Sequence, residues 1–237
     1  MPFPVTRSLA AVVLVACVAG AGAGYAIAAP SGRSSAAAQL TGSQLAARLV
    51  PASALPRGYQ LVRRFSQDSG GRLETAAAKY DLATMSCAAI NDDSGRAGFG
   101  ESAFAEDAHF LNASGLPSTG LLQQVYQFRA GQAAASFWRG LRAIFIRCPG
   151  LGAATAPDQG KITQRVFAVR YGRGQAFEAD VTVTGLPGGT VNTDTLVVVA
   201  GDDVFTVESL GYSRPVPADP PARTLMNELI ARVQVAA

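Results

Sequence analysis

The chain has 237 residues, of which 49% are hydrophobic and 16% charged, with a formal net charge of +3. That composition can fill a core and argues against general disorder. The positive residues are scattered and no basic run interleaves with aromatics, which excludes a nucleic-acid footprint.

Residues 1–28 read as a signal peptide. Arg7 is the charge of a short n-region, an apolar run follows from Leu9, and Ala26-Ile27-Ala28 is a small-x-small cleavage pattern. Two alternatives stay open. The run is long enough to act as an uncleaved anchor. Leu14-Val15-Ala16-Cys17 also resembles a lipobox, in which Cys17 would be acylated, although the residues after it stay apolar. Each reading delivers the rest of the chain outside the cytoplasm, secreted or attached to the outer face of the membrane, with membrane contact only through this segment. Residues 29–42 are Ser-, Ala- and Gly-rich and read as a flexible spacer, and 43–237 read as one domain.

Within that domain Leu45 and Leu49 mark a short helix over 41–50, stopped by Pro51. A turn at Leu55-Pro56-Arg57-Gly58-Tyr59 leads to a strand over 60–65, and a polar loop follows over 66–72. Residues 73–90 read as helix and then a loop carrying Cys87, and 91–100 as a turn-rich stretch. Strands are predicted over 99–112 and 121–129. The strongest helix spans 130–147, with Ala134, Phe137, Trp138, Leu141, Ile144 and Phe145 on one stripe, and Cys148-Pro149-Gly150 ends it. Strands follow over 162–170 and 176–184. In the second, Phe177, Ala179, Val181 and Val183 alternate with Glu178, Asp180, Thr182 and Thr184, which predicts one buried and one wet face. A hairpin over 196–200 and 204–210 turns at Gly201, and a last helix begins after Asp219-Pro220. The expected fold is α+β: a mostly antiparallel twisted sheet of about six strands, packed by two or three amphipathic helices.

With Cys17 set aside, Cys87 and Cys148 are an even pair suited to an oxidising compartment. A disulfide between them and two buried thiols are both compatible with the spacing. A zinc site is not, because His109 is the single histidine and no carboxylates stand at ligand spacing.

Catalytic arrangements are scarce. His109 lies on the same predicted strand face as Asp107, which would suit a base oriented by a carboxylate, but no serine sits in a nucleophile elbow. Binding residues are easier to nominate. Arg139 and Arg142 share a helix face with Arg147 near its end, an arrangement able to hold a carboxylate or phosphate. Trp138, Glu178 and Asp180 complete the candidate set, in a cleft expected between the wet sheet face and the helix bearing Trp138.

Four short stretches, Leu55-Pro56-x-Gly58-Tyr59, the Cys87 loop, Val125-Tyr126-x-Phe128 to Phe137-Trp138, and Arg147-Cys148-Pro149-Gly150, occur in a telling order. The chain resembles, over roughly residues 45–235, the extracytoplasmic sensor-type domain of actinobacterial proteins. This is the PknH-like extracellular domain of a mycobacterial serine/threonine kinase and of related lipoproteins. The resemblance implies a mixed α/β domain with a ligand-binding cleft. It departs from the family in having two domain cysteines where four are usual, and in placing Trp138 well before Cys148. The expected function is therefore an exported, non-enzymatic, sensor-like ligand-binding domain of the cell envelope, with no cofactor. Its partner would be an unknown small ligand or envelope component, not nucleic acid. An envelope hydrolase using His109 with a carboxylate, and a structural or partner-binding envelope protein, are the alternatives.

Overall fold

The structure, a computed structural model, describes residues 39–75, 78–80, 82, 84–87, 98–111, 119–149, 161–172, 174–186, 189–212 and 221–234. The leader, Cys17 and the Asp219-Pro220 start signal lie outside the described residues. Among those described, no helix is long and apolar enough to cross a membrane.

Residues 39–42, inside the stretch read as spacer, are already part of the fold. Leu40 is buried, and its amide donates to Gln127 Oε1 at 2.7 Å. Helix α1 (Gly42–Ala46) follows, started by a capping box in which the Thr41 hydroxyl and the Gln44 side chain each accept the other's backbone N–H. Its register buries Leu45, and the turn beyond it buries Leu49 and Val50.

The strands are β1 (Tyr59–Leu61), β2 (Gln67–Asp68), β3 (Ala103–Leu111), β4 (Thr119–Gln127), β5 (Lys161–Tyr171), β6 (Gly174–Leu186), β7 (Gly189–Ala200) and β8 (Asp203–Tyr212). They form one antiparallel sheet in the order β1-β3-β4-β8-β7-β6-β5, with β2 also paired to β3. Helix α2 (Gly131–Arg147) joins β4 to β5, and α3 (Pro221–Gln234) closes the described chain. The predicted strand over 60–65 is shorter than expected, because the chain leaves β1 for a 3-10 turn at Arg63–Phe65. The strand β7 is longer, because its first half, Thr190 to Thr195, carries too few apolar residues to stand out. The tight β7–β8 turn rests on Gly201 at φ 65°, a left-handed conformation that costs a glycine nothing.

Helices cover both faces of the sheet. On one, α2 buries Phe137, Trp138, Leu141, Ile144 and Phe145 against Phe104, Tyr126, Phe177, Val197 and Val204. Each such side chain contributes roughly 1.5–3 kcal/mol relative to exposure. On the other, α1 and α3 bury Leu45, Leu49, Leu225, Met226 and Leu229 against Ala105, Val125, Leu196, Phe205 and Val207. The central strand β4 is consequently buried on both faces for nearly its whole length. A third apolar cluster (Ala108, Phe110, Leu122, Val181, Leu210) lies further along the α2 face, backed by Val62 and Phe65 of the 3-10 segment.

Cys87 and Cys148 form a disulfide, S–S 1.99 Å, that ties the C-terminal end of α2 to the chain before β3. Arg147 reinforces that junction by donating to the Met85 carbonyl at 2.8 Å.

Candidate functional site

The structure does not bring the sequence-nominated binding residues together. Trp138 is buried under α2 with its ring 5.8 Å from that of Phe177, and its indole N–H faces the Val197 carbonyl. Strand alternation then sends Glu178 and Asp180 to the opposite side of the sheet. That side is not a wet face. Glu178 is buried beneath α3 and its carboxylate receives Arg223 at 2.8 Å, while Asp180 meets Arg165 of β5 at 3.3 Å near solvent. The cleft expected between Trp138 and these acids is therefore filled by the sheet itself. Arg139 is exposed and bonds within its own helix, to the Ala135 carbonyl and the Ser136 hydroxyl. Arg142 is half-buried with an unpartnered Nε, and Arg147 is committed to Met85.

His109 does share a face with Asp107, as alternation requires, but it is buried and its lone pair is occupied. Gln123 accepts from the Val50 amide through Oε1 and donates to the Val50 carbonyl through Nε2, which fixes the amide's orientation. Its second N–H then points at His109 Nε2, 3.2 Å away, so that nitrogen is the acceptor and Nδ1 carries the proton. Burial lowers the His109 pKa below its ordinary 6.5, against the opposing pull of Asp107. Ser209 lies in the same cross-strand row but two strands away, beyond Leu121. Two strand spacings are about 10 Å, too far for a serine–histidine hydrogen bond.

A different set of polar side chains converges on the α2 face. The register aligns Glu106, Gln124 and Thr206 in one row across β3, β4 and β8, and Glu208 stands one step further along β8 beside Leu122 and Thr195. This group sits between the apolar cluster under α2 and the cluster containing Phe110 and Leu210. All four are nearly inaccessible, at 5%, 1%, 1% and 2% exposure for Glu106, Gln124, Thr206 and Glu208. Glu106 accepts from Gln67 at 2.5 Å and from Gln124 at 2.7 Å. Gln124 Oε1, Thr206 Oγ1 and Glu208 Oε2 have no partner among the described residues. A buried polar atom without a partner costs roughly 1–3 kcal/mol, so three of them in one neighbourhood mark a place for something else.

Electrostatics agree. Desolvation pushes the Glu106 pKa from 4.5 to about 7, with the two amide hydrogen bonds opposing it. It pushes Glu208 from 4.5 to about 8, aided by the charge of Asp194 and opposed by the Thr195 hydroxyl. Among the described residues no ion pair reaches either carboxyl.

A shallow depression with about 10 Å³ of free space, room for roughly one water molecule, adjoins this region, with Glu208 in its wall beside Ala108, Phe110, Gly120, Leu121, Leu122 and Leu210. Gly120 shapes it. A Cβ there would stand 2.7 Å from the Phe110 ring, so only glycine lets that ring lie down across β4. Neither Glu106 nor Glu208 was among the residues nominated from the sequence. The usable signal was alternation: both acids occupy the register of buried apolar residues in their strands.

In its chain arrangement the protein is similar to the extracellular domain of PknH from Mycobacterium tuberculosis. The match has 14% identity and a TM-score of 0.48, and covers 82% of this chain and 96% of that one. It is a likeness of fold, in line with the resemblance carried by the short motifs. No family model matches the sequence, and no curated protein does.

Proposed function

We propose that this chain is an exported, non-enzymatic ligand-binding domain of the cell envelope, sensor-like in type, which takes its ligand at the Glu208 pocket. One observation carries the reading: Glu208 holds a buried carboxyl oxygen with no partner among the described residues in the wall of a small open depression, and the buried Gln124 Oε1 and Thr206 Oγ1 lie on the strands beside it, also without a partner there. A merely structural sheet would fill those positions with apolar side chains, as the adjoining rows do. The leader-like residues 1–28 and the disulfide support a setting outside the cytoplasm. The hydrolase alternative has less support, because the lone pair of His109 is taken by Gln123 and its nearest same-row serine is two strands away.

The test is native mass spectrometry of the protein purified from its own host, paired with a titration of the released small molecules followed by amide chemical shifts. The reading expects a co-purified molecule whose rebinding moves Leu122, Gln124, Glu208 and Leu210. A ligand that moves only residues around α3 would overturn the pocket, and a domain that carries and rebinds nothing would overturn the function.

A further inference from the structure

We propose that the outer edge of β5 is a docking strand for an acidic, extended segment of a partner protein, which joins the sheet as its next strand. The two edges of the sheet are built differently. At one end β3 is covered by β1 and β2, which are three and two residues long, and such short edge strands give an incoming chain little to pair with. At the other end β5 runs for 11 residues, none of them buried. Its register against β6 is unbroken, from Lys161 opposite Thr184 to Tyr171 opposite Gly174, with no bulge to turn it away and no proline within it. Among the described residues nothing pairs with its outer side. Alternate residues of an antiparallel edge strand direct their N–H and C=O groups away from the sheet, so β5 offers about five such pairs to a further strand.

The side chains select the partner. Val166 packs into the α2 cluster, while the Tyr171 hydroxyl reaches the Arg223 carbonyl and Asn227 of α3. Alternation then places Lys161, Thr163, Arg165, Phe167 and Val169 on the α3 side with Tyr171. The strand carries three cations, Lys161, Arg165 and Arg170, and no acid. Lys161 and Arg170 are exposed and in no ion pair among the described residues, and Arg165, its side chain 77% exposed, reaches Asp180 at 3.3 Å. The Phe167 ring stands exposed next to Arg165. Cross-strand neighbours stabilise a pair when charges are opposite and when aromatics meet apolar side chains. The strand that fits therefore carries carboxylates opposite the end from Lys161 to Arg165 and an apolar side chain opposite Phe167. A second copy fits badly, because β5 against β5 gathers three cations from each copy along one seam. Protection alone is achieved at the other edge by short strands. β5 instead keeps a long regular backbone and an exposed ring, and its charges admit one sign of partner. This edge is also separate from the Glu208 depression: β7 and β6 lie between β8 and β5, about 14 Å by strand spacing.

The experiment titrates the purified protein, disulfide intact, with three short synthetic peptides, following its amide chemical shifts and amide exchange. One peptide alternates glutamate with valine, one alternates lysine with valine, and one repeats the first with alternate backbone nitrogens methylated, which keeps the charge and removes the donors. The expected result is saturable shifts confined to β5 and its neighbour β6 with the glutamate peptide, together with slowed exchange of the outward β5 amides. The lysine peptide and the methylated peptide should each bind at least tenfold more weakly, and added salt should weaken the glutamate peptide. Lys161→Glu combined with Arg170→Glu, at two exposed positions outside any described ion pair, should invert the preference toward the lysine peptide. Equal binding of the two charge types, or an unchanged preference in the double variant, would overturn the acidic partner. Equal binding of the methylated peptide would reduce the contact to charge attraction and overturn strand addition. Absence of binding by the glutamate peptide, or self-association of the protein through β5 in sedimentation, would overturn the proposal as a whole.

Discussion

Glu208→Gln should make the domain more stable at neutral and alkaline pH and scarcely alter it in acid. In the unfolded chain this carboxyl titrates near its ordinary 4.5, and in the folded protein burial holds it protonated up to about 8. Between those values the native state binds one proton more than the unfolded state, so stability falls as pH rises. At about 1.4 kcal/mol per pH unit, the interval of 4.5 to about 8 corresponds to roughly 3 kcal/mol lost by pH 7 and roughly 5 kcal/mol above pH 8. Glutamine has nearly the shape of the neutral acid and nothing to ionise, so the variant keeps that free energy. A domain of this size shifts about 2–4 °C in Tm per kcal/mol. The variant should therefore melt on the order of 10 °C higher than the parent at pH 8.5 and within about 2 °C of it at pH 5. Thermal unfolding by circular dichroism at pH 5, 7 and 8.5 reads this directly. A difference independent of pH, or a variant less stable at pH 8.5, would show that Glu208 is charged and satisfied in the native state, and the account of the site would fail.

Glu106, Asp194 and Asp203 are shifted upward by burial as well, to about 7, about 7 and about 6. The unliganded parent should accordingly gain stability on acidification from pH 8 to pH 5, and a flat or rising profile toward alkaline pH would contradict those assignments. Replacing Cys87 and Cys148 together by alanine opens a loop with a sequence separation of 61. The chain-entropy estimate gives a loss of about 4 kcal/mol, measurable as a lower urea midpoint, and a loss under about 1 kcal/mol would refute it. Arg223→Ala leaves the buried Glu178 carboxylate unpaired and should cost on the order of 1–3 kcal/mol. Arg165→Ala, at an exposed pair, should cost under about 1 kcal/mol, and urea midpoints compare the two. His109 should titrate below its ordinary 6.5 by NMR, with the proton of its neutral ring on Nδ1. His109→Ala should leave any hydrolytic activity of the purified protein unchanged, and a large rate loss would restore the enzymatic alternative.

Much of the fold could be read from local pattern. The helix over 130–147 was legible because six apolar residues fall on one stripe and Cys148-Pro149 stops it, and α2 follows that span to within a residue. The alternation of Phe177, Ala179, Val181 and Val183 marked β6 correctly, and all four are buried. What misled was the meaning of the intervening positions. Alternation says that Glu178 faces away from Phe177, not whether the far side is water or a helix, and Arg223 of α3, 45 residues later in the chain, covers it. The strand β7 was half missed because Thr193 and Thr195 are buried hydroxyls, which look like solvent-facing residues in a sequence. The Glu208 site was hidden for the same reason. Its members come from three strands, of which β8 is far from β3 and β4 in sequence, and only the antiparallel register puts Gln124 opposite Thr206 and Leu122 opposite Glu208.

Both faces of the sheet bury polar side chains, but they treat them differently. The α1/α3 face packs Val125, Leu196, Phe205 and Val207 under α3, and its buried polar groups are mostly partnered, with Gln123 bonded to Val50 and His109 and Glu178 paired to Arg223. The α2 face is apolar at one end, where Phe104, Tyr126 and Val204 lie under α2, and apolar again where Phe110 and Leu210 gather. Glu106, Gln124, Thr206 and Glu208 interrupt it between. Apolar residues of similar volume would be at least as stable there, since a buried carboxyl with no partner lowers stability at neutral pH. The polar interruption is thus a cost borne by the best-ordered strands of the molecule. A ligand that partnered those groups would offset it, which would couple occupancy of the pocket to the stability of the sheet. By mass action a ligand bound at Glu208 should raise the unfolding temperature of the parent and shift Glu208→Gln less.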